Sequence, residues 1–329
     1  MTTSHSSRIF RRAFTVAVAG IVATVALAAH AQTYPAKVVT FVVPFAAGSA
    51  TDQLARALGN SVAQETKQAI VVDNRAGASG MLAAQYVAKA APDGYTVLIT
   101  TNTTHAADEH LFKKMPYDPV KDFVPVTGLG KGGQVLVVRP DSPYKSVADL
   151  IADAKKNPGK LSFGSGSSSS RVAGEMLKQL THTDMLHVPY KSNPGALTDL
   201  LGGQITFMIT DTATGAPQIK GGKLRALGVS TTRRIALLPS VPTLDEAGVK
   251  GYDMGYWFAA YVPANTPAPT VARLRELLIA GTSSAGAKAF FETTGSDVWT
   301  STSDDLAKFQ HSETAKWGAV IKAAGIEPE

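Results

Sequence analysis

The stretch that decides the fold is Pro44-Phe45-Ala46-Ala47-Gly48-Ser49-Ala50-Thr51-Asp52, because it joins an apolar segment to an amphipathic one. Residues 38–43, immediately before it, are apolar and rich in β-branched side chains, which is typical of a buried parallel strand. Leu54, Leu58 and Val62 follow it at helical spacing. The sequence therefore predicts a strand, a short loop and a helix that begins at this loop.

The predicted helix N-terminus suits the binding of an anion. Thr51 and Asp52 are favourable at an N-cap or in a first turn, and Gly48 lets the backbone approach a ligand closely. The first amide groups of a helix have no intrahelical acceptor, and they favour a negative charge. One such terminus contributes only about 0.3–2 kcal/mol, so we expect several to converge. The candidate ligand-binding residues of this loop are Phe45, Ala47, Gly48, Ser49, Thr51 and Asp52.

The first 31 residues have the pattern of a secretory signal peptide. Arg8, Arg11 and Arg12 precede an apolar run over 13–29, and small residues follow in Ala29-His30-Ala31. We expect cleavage after Ala31 and a mature protein in the periplasm, with an uncleaved membrane anchor as the alternative. No later stretch of the sequence is long and apolar enough to cross a bilayer.

Charge and cysteine content exclude several classes of function. Loss of residues 1–31 lowers the formal net charge from +6 to +3, because it removes three basic residues and no acidic one. The remaining basic residues alternate with acidic ones, which argues against a nucleic-acid partner. The chain has no Cys, which excludes disulfides, thiol catalysis and zinc–thiolate sites. We expect no cofactor and no bound metal.

Strand and helix patterns alternate along the chain, which predicts an α/β fold. The predicted strands cover residues 38–43, 70–72, 96–100, 161–163, 187–190 and 205–209. Right-handed crossovers bring the carboxyl ends of neighbouring parallel strands to one edge, where open α/β sheets bind ligands. The loop after the third strand adds Thr101, Asn102 and His105 to the candidate site.

The second half has a loop of its own that resembles the first, Gly164-Ser165-Gly166-Ser167-Ser168-Ser169-Ser170. It lies between a strand pattern and a helical one, so we interpret it as a second anion-binding loop; a flexible linker is the alternative. Arg171 follows at the helix start, where a cation opposes the helix dipole. Its guanidinium could grip a ligand carboxylate with two hydrogen bonds, or it could simply be solvated. The candidates here are Ser165, Ser167, Ser168, Ser169, Ser170 and Arg171.

Sequence motifs typical of enzymes occur only in incomplete form or outside their usual structural context. Residues 128–133 fit G-x-G-x-x-G, but residues 134–138 have a strand pattern, whereas a dinucleotide fingerprint opens a helix. A secreted hydrolase would use a serine of 165–170 with His187 or His105 as base, yet no G-x-S-x-G surrounds these serines. The histidines also lack metal-ligand spacing.

Blocks spread over nearly the whole mature chain resemble the solute receptors of the tripartite tricarboxylate transporter family, the Bug-type periplasmic binding proteins. They are Tyr34-Pro35, residues 44–52, Asn74-Arg75-Ala76-Gly77, residues 91–95, 116–123, 187–191, 196–204, 222–227 and 238–243. The resemblance implies a two-lobed, type II-like periplasmic binding protein in which each lobe is a mixed sheet flanked by helices and crossing strands join the lobes. It places lobe 1 at residues 32–130 and 254–329 and lobe 2 at 131–253.

The resemblance also implies a function without chemistry on the ligand. The two lobes close on a small organic acid, a di- or tricarboxylate, and deliver it to a permease with two integral membrane subunits. The carboxylate lies between the loops at 45–52 and 165–170. A monomer is expected, and a binding protein that reports to a sensor kinase is the alternative to a transport receptor.

Two further candidates bear on ligand choice. Asp211 stands in Thr210-Asp211 where the family often has Asp-Asn, so it would either hold a ligand ammonium or hydroxyl group or cap the next helix. Trp257 lies between Tyr256 and Phe258 on a predicted crossing strand, where alternation sends it to the opposite face from its neighbours. An aromatic ring beside the carboxylate site would suit an aromatic dicarboxylate such as terephthalate; packing in the core is the alternative.

Overall fold

The computed structural model describes residues 34–329, so the predicted signal peptide at 1–31 lies outside the described residues. Residues Lys37–Glu329 form one compact unit. In the part of the chain that the structure describes, no helix has both the length and the apolar character that a membrane span needs.

A mixed sheet of ten strands runs through this unit. The strands are β1 (Val39–Val43), β2 (Ile70–Asn74), β3 (Thr96–Thr101), β4 (Phe123–Val138), β5 (Ser162–Ser165), β6 (Leu186–Pro189), β7 (Phe207–Asp211), β8 (Arg225–Val229), β9 (Gly255–Pro263) and β10 (Asp297–Val298). Their order is β2-β1-β3-β9-β4-β7-β5-β6, and β8 and β10 also pair with β4. All six strands predicted from the sequence are present, with ends shifted by one or two residues.

The sheet has a parallel block at each end and antiparallel strands between them. β1, β2 and β3 pair in parallel, as do β5, β6 and β7. β4 links the two blocks, because residues 123–133 pair with β9 and residues 134–138 pair with β7 and β8. The carboxyl edges of both blocks therefore flank the long strands β4 and β9, which confirms the predicted α/β class with crossing strands.

Helices follow most strands and cover the sheet. They are α1 (Ala50–Thr66), α2 (Met81–Ala88), α3 (Asp108–Leu111), α4 (Val147–Lys156), α5 (Ser168–Thr181), α6 (Asn193–Leu201), α7 (Thr212–Lys220), α8 (Ala268–Thr282), α9 (Ala285–Thr294) and α10 (Ser303–Ala323), with a π-helical turn at Thr103–Ala107. β1, β5 and β6 each lead through a short loop into the N-terminus of a helix, and β7 leads directly into that of α7. Three of these N-termini, those of α1, α5 and α6, form the site described below.

The glycines of the 128–133 segment serve packing inside β4. A Cβ on Gly128 would lie 2.5 Å from the Trp299 ring, and one on Gly130 would lie 2.7 Å from the Phe291 ring. A Cβ on Gly132 would collide with the ring of Tyr256. The segment is therefore an extended strand that accommodates aromatic rings, and it does not open a helix as a dinucleotide-binding loop does.

Candidate functional site

A narrow cavity of about 40 Å³ lies where the three helix N-termini meet β4 and β9. Its lining residues are Phe45, Ser49, Ala50, Thr51, Thr101, Gln134, Gly166, Ser167, Ser169, Ser192, Asn193, Asp211, Tyr256 and Phe258. The sequence prediction placed seven of them at a ligand site: Phe45, Ser49, Thr51, Thr101, Ser167, Ser169 and Asp211. The structure thus brings the loop after β1 and the serine loop after β5 to one cavity.

The loop after β1 ends in a well-formed cap on α1. Ser49 is the N-cap, and its hydroxyl accepts a hydrogen bond from the backbone N–H of Asp52. Burial alone would raise the pKa of Asp52, but hydrogen bonds from Arg56, the Gly48 N–H and Asn74 hold that pKa below its usual value. Asp52 therefore fixes the loop and does not face the cavity. The N–H groups of Ala50 and Thr51 donate to no acceptor among the described residues, and both residues line the cavity.

The serine loop caps α5 in the same way. Ser167 accepts from the Ser170 N–H, and Ser170 reaches back to the Ser167 N–H, which is a capping box. The N–H groups of Ser168 and Ser169 have no acceptor among the described residues. Ser170 is thus used to hold the loop, while the first amides of α5 are left free at the cavity.

A third N-terminus, that of α6, was not predicted. Ser192 is its N-cap and makes no capping hydrogen bond, and its buried hydroxyl has no partner among the described residues. Asn193 accepts from the Gly166 N–H at 2.9 Å and donates to Asp211 Oδ2 at 2.8 Å. The α6 N-terminus is therefore joined to the serine loop on one side and to Asp211 on the other.

The cavity is suited to an anion although no basic side chain lines it. No Lys, Arg or His is among its lining residues, and Asp211 is its only carboxylate, within the described part of the chain. Unpaired amides of α1 and α5, together with serine and threonine hydroxyls, supply the hydrogen-bond donors. Converging helix N-termini stabilise a carboxylate without the desolvation cost of a buried cation. The arrangement is one that can hold an anion through main-chain and hydroxyl hydrogen bonds.

Direct hydrogen bonds connect the two blocks of the sheet beside the cavity. Asn102 Nδ2, just after β3, donates to Ser169 Oγ at 2.9 Å, and Ser168 Oγ donates to Asp108 Oδ1 at 2.6 Å. Asn102 and Ser168 do not line the cavity themselves. Their hydrogen bonds hold the serine loop against the segment that follows β3.

Asp108 makes the stability of this contact depend on pH. The side chain is fully buried and Oδ2 has no partner, so burial raises its pKa well above the usual value. The folded state then keeps a proton that the unfolded chain releases above about pH 4, and the free energy of unfolding falls as pH rises from there. Asp108→Asn should remove this loss. Its gain in unfolding free energy over the wild type should grow with pH by at most about 1.4 kcal/mol per unit.

Urea unfolding at pH 4 and pH 7 measures this effect. We expect a small difference between Asp108→Asn and the wild type at pH 4 and a clear stabilisation of the variant at pH 7. The same difference at both pH values would contradict a buried, protonated Asp108. The matched control is Asp149→Asn, because Asp149 lies in the exposed capping box of α4.

Two predicted residues lie away from the cavity in the core. His105, on the π-helical turn, is fully buried, stacks on Tyr261 at 3.9 Å between ring centroids, and lies 2.9 Å from the Thr104 hydroxyl. Burial lowers the pKa of His105 to about 3. Trp257 is also buried, and its Nε1 donates to Glu313 at 3.1 Å on the face of β9 opposite Tyr256 and Phe258. The predicted alternation along β9 is therefore present, with the neighbours of Trp257 facing the cavity.

Arg171 and Ser165 also lie outside the cavity lining. The Arg171 guanidinium pairs with Glu329 at 2.7 Å, which offsets its unfavourable position at the α5 N-terminus. Ser165 Oγ lies 2.7 Å from His187 Nε2, and burial, aided by the charge of Arg171, lowers the pKa of His187 to about 4. This pair resembles a nucleophile and its base, but neither residue lines the cavity. Ala47 and Gly48 are likewise outside the lining.

Seven lining residues were not among the predicted ones: Ala50, Gln134, Gly166, Ser192, Asn193, Tyr256 and Phe258. A signal for Ser192 and Asn193 was present, because a serine with Pro194 two residues later is typical of a helix start after a strand. Gln134 carried no comparable signal, since it is one polar residue in an apolar strand pattern.

The chain is similar to known binding proteins over most of its length. Residues 54–326 match the family model described as Tripartite tricarboxylate transporter family receptor (TctC). The solved structure of Rpa4515 from R. palustris with adipate is 35% identical, with a TM-score of 0.87 over 90% of this chain and 100% of that chain. The periplasmic binding protein BugD is 32% identical, with a TM-score of 0.86 over 90% of this chain and 100% of that chain.

A third solved structure is similar to the chain at comparable identity and coverage. MatC (Rpa3494) from Rhodopseudomonas palustris with bound malate is 31% identical, with a TM-score of 0.83 over 88% of this chain and 100% of that chain. These neighbours are substrate-binding proteins and not enzymes. The predicted resemblance is confirmed: the chain belongs to the TctC family of tripartite tricarboxylate transporter receptors, the Bug-type periplasmic solute-binding proteins.

Proposed function

We propose that the protein captures a small organic acid in the periplasm and delivers it to the two integral membrane subunits of a tripartite tricarboxylate transporter. The observation that carries this proposal is the convergence of the α1, α5 and α6 N-termini on a cavity without basic side chains. Free main-chain amides there favour a carboxylate. The protein acts as a monomer after cleavage behind Ala31, and it needs no cofactor.

Ligand capture follows from closure of two lobes. Residues 32–130 and 254–329 form one lobe and residues 131–253 the other, with hinges in the crossing strands near 124–134 and 250–260. In support, β4 changes partner between Gly133 and Gln134, from β9 to β7. A ligand that bridges both sides binds the closed state better and shifts the population towards it.

Thermal unfolding against a panel of acids tests this function. The panel contains mono-, di- and tricarboxylates, including adipate and malate because related proteins were solved with them, and terephthalate as an aromatic diacid. At about a hundredfold excess over Kd, a ligand adds about 2.7 kcal/mol of stability, which should raise the Tm of a chain of this length by about 4 °C.

Neutral amide analogues of the same acids are the control, because they lack the charge that the helix termini favour. They should leave the Tm unchanged. If no acid of the panel raises the Tm, or if the amides raise it equally, the proposed function is refuted.

A further inference from the structure

One wall of the cavity has acceptors where a carboxylate ligand would need donors. Gln134 on β4 and Asp211 at the end of β7 are register partners across the antiparallel pair β4–β7, and both line the cavity. Cross-strand partners have Cβ atoms about 4.5–5.5 Å apart. The two side chains therefore lie next to each other on the same wall, which we call the acceptor wall.

The side-chain oxygen of Gln134 is an unpaired acceptor within the described part of the chain. The residue is only 2% exposed, and its Oε1 is buried without a hydrogen bond among the described residues. Its backbone is fixed, because the Gln134 N–H donates to Ser230 Oγ at 2.8 Å and the Ser230 N–H donates to the Gln134 carbonyl at 2.9 Å. A buried acceptor left unpaired destabilises the protein, so a donor on the ligand would remove that cost.

Asp211 provides a second hydrogen-bond acceptor on the acceptor wall. Its Oδ2 accepts from Asn193 Nδ2 and from the Thr210 and Thr214 hydroxyls, whereas Oδ1 accepts only the Thr214 N–H, at 2.8 Å, among the described residues. Oδ1 therefore keeps acceptor capacity. Asp211 also caps α7, which is the alternative role considered for it from the sequence, and it lines the cavity as well.

A second ligand carboxylate would be disfavoured at this wall. It would lie beside the Asp211 carboxylate, and no Lys, Arg or His of the described chain lines the cavity to offset the repulsion. Rotating the Gln134 amide by half a turn would provide a donor but would leave the charge of Asp211 in place. A hydroxyl, amide or ammonium group satisfies both side chains.

We propose that the bound acid places a hydrogen-bond donor, a hydroxyl, amide or ammonium group, against Gln134 and Asp211, while its carboxylate lies at the α1 and α5 N-termini. The ligand class is thus a hydroxy- or amino-substituted organic acid. This inference rests on the proposed function and names the substrate class of the same site. It separates this chain from a receptor that selects unsubstituted dicarboxylates.

Calorimetric titration with matched acids tests the inference on the full mature chain. For each length from three to six carbons, the probes are the unsubstituted monocarboxylate, the ω-hydroxy acid, the ω-amino acid and the dicarboxylate; at four carbons these are butanoate, 4-hydroxybutanoate, 4-aminobutanoate and succinate. At the best length, the hydroxy or amino acid should bind about tenfold or more tightly than both the monocarboxylate and the dicarboxylate.

Two variants of the acceptor wall make the test specific. Asp211→Asn should reduce the preference for the donor-bearing acid over the dicarboxylate by about tenfold, and Gln134→Met should do the same if Asp211→Asn does not fold. Asp149→Asn, at a helix N-terminus remote from the cavity, should leave all ratios unchanged.

The outcomes separate this inference from the proposed function. If no acid of the series or of the wider panel binds, the proposed function fails. If a dicarboxylate binds as tightly as its hydroxy and amino counterparts, or if the folded variants keep the wild-type ratio, the donor-bearing ligand class is overturned and the receptor function stands.

Discussion

Gly166→Ala is expected to abolish ligand binding and to destabilise the fold. Gly166 lies in the serine loop where it touches the start of α6, and a Cβ there would overlap the backbone carbon of Ser192 and the backbone nitrogen of Asn193. These are main-chain atoms that no rotamer change can move, so the serine loop and the α6 N-terminus would have to separate. Overpacking of this kind costs about 1–3 kcal/mol, and calorimetric titration together with thermal unfolding measures both effects.

A second glycine substitution in the same region is the matched control. Gly195 lies exposed on α6, and a Cβ there would meet only the Tyr190 ring at 3.8 Å, which is an ordinary contact. Gly195→Ala should leave binding unchanged and raise stability by about 0.5–1 kcal/mol, because alanine favours a helix. Wild-type affinity in Gly166→Ala would contradict the proposal that these two loops together form the ligand site.

Much of the architecture was predictable because it depends on local patterns. The strand over residues 38–43, the capped helix after it and the serine loop all follow from hydrophobic spacing and N-cap residues within about ten positions. The family resemblance was equally accessible, since its blocks are read directly from the sequence. Ala50 and Thr51, at the N-terminus of this helix, line the cavity.

The parts that sequence reasoning did not place depend on partners far away in the chain. Arg171 was a candidate for a ligand carboxylate, but its carboxylate partner in the structure is Glu329, which no local pattern indicates. The alternation over residues 256–258 predicts that Trp257 lies on the opposite face of the strand from Tyr256 and Phe258. It does not predict which of the two faces lines the cavity. His105 lies on a π-helical turn that points it into the core against Tyr261.

Ala50→Pro is expected to remove one ligand contact while leaving the fold intact. Ala50 is the first residue of α1, where its N–H has no protein acceptor and where proline is well tolerated. The preceding Ser49 has φ −65° and ψ 159°, which suits a residue before proline. A hydrogen bond to a charged group contributes about 1.5–3 kcal/mol, so binding should weaken by about 10–100-fold.

Ala285→Pro is the matched control for Ala50→Pro. Ala285 is the first residue of α9 after Ser284, which has φ −65° and ψ 156° and also caps its helix, but Ala285 does not line the cavity. Ala285→Pro thus imposes the same backbone change at a remote helix. Both variants should keep or slightly exceed the wild-type Tm, since proline at a compatible site restricts the unfolded chain.

The most direct test of the account is therefore a calorimetric titration of the wild type, Ala50→Pro and Ala285→Pro with the acid that raises the Tm most. If the Ala50 N–H holds the ligand carboxylate, Ala50→Pro should bind at least about tenfold more weakly. Ala285→Pro should keep the wild-type affinity. Equal affinity of all three folded proteins would show that the α1 N-terminus does not hold the carboxylate, and it would contradict the central claim.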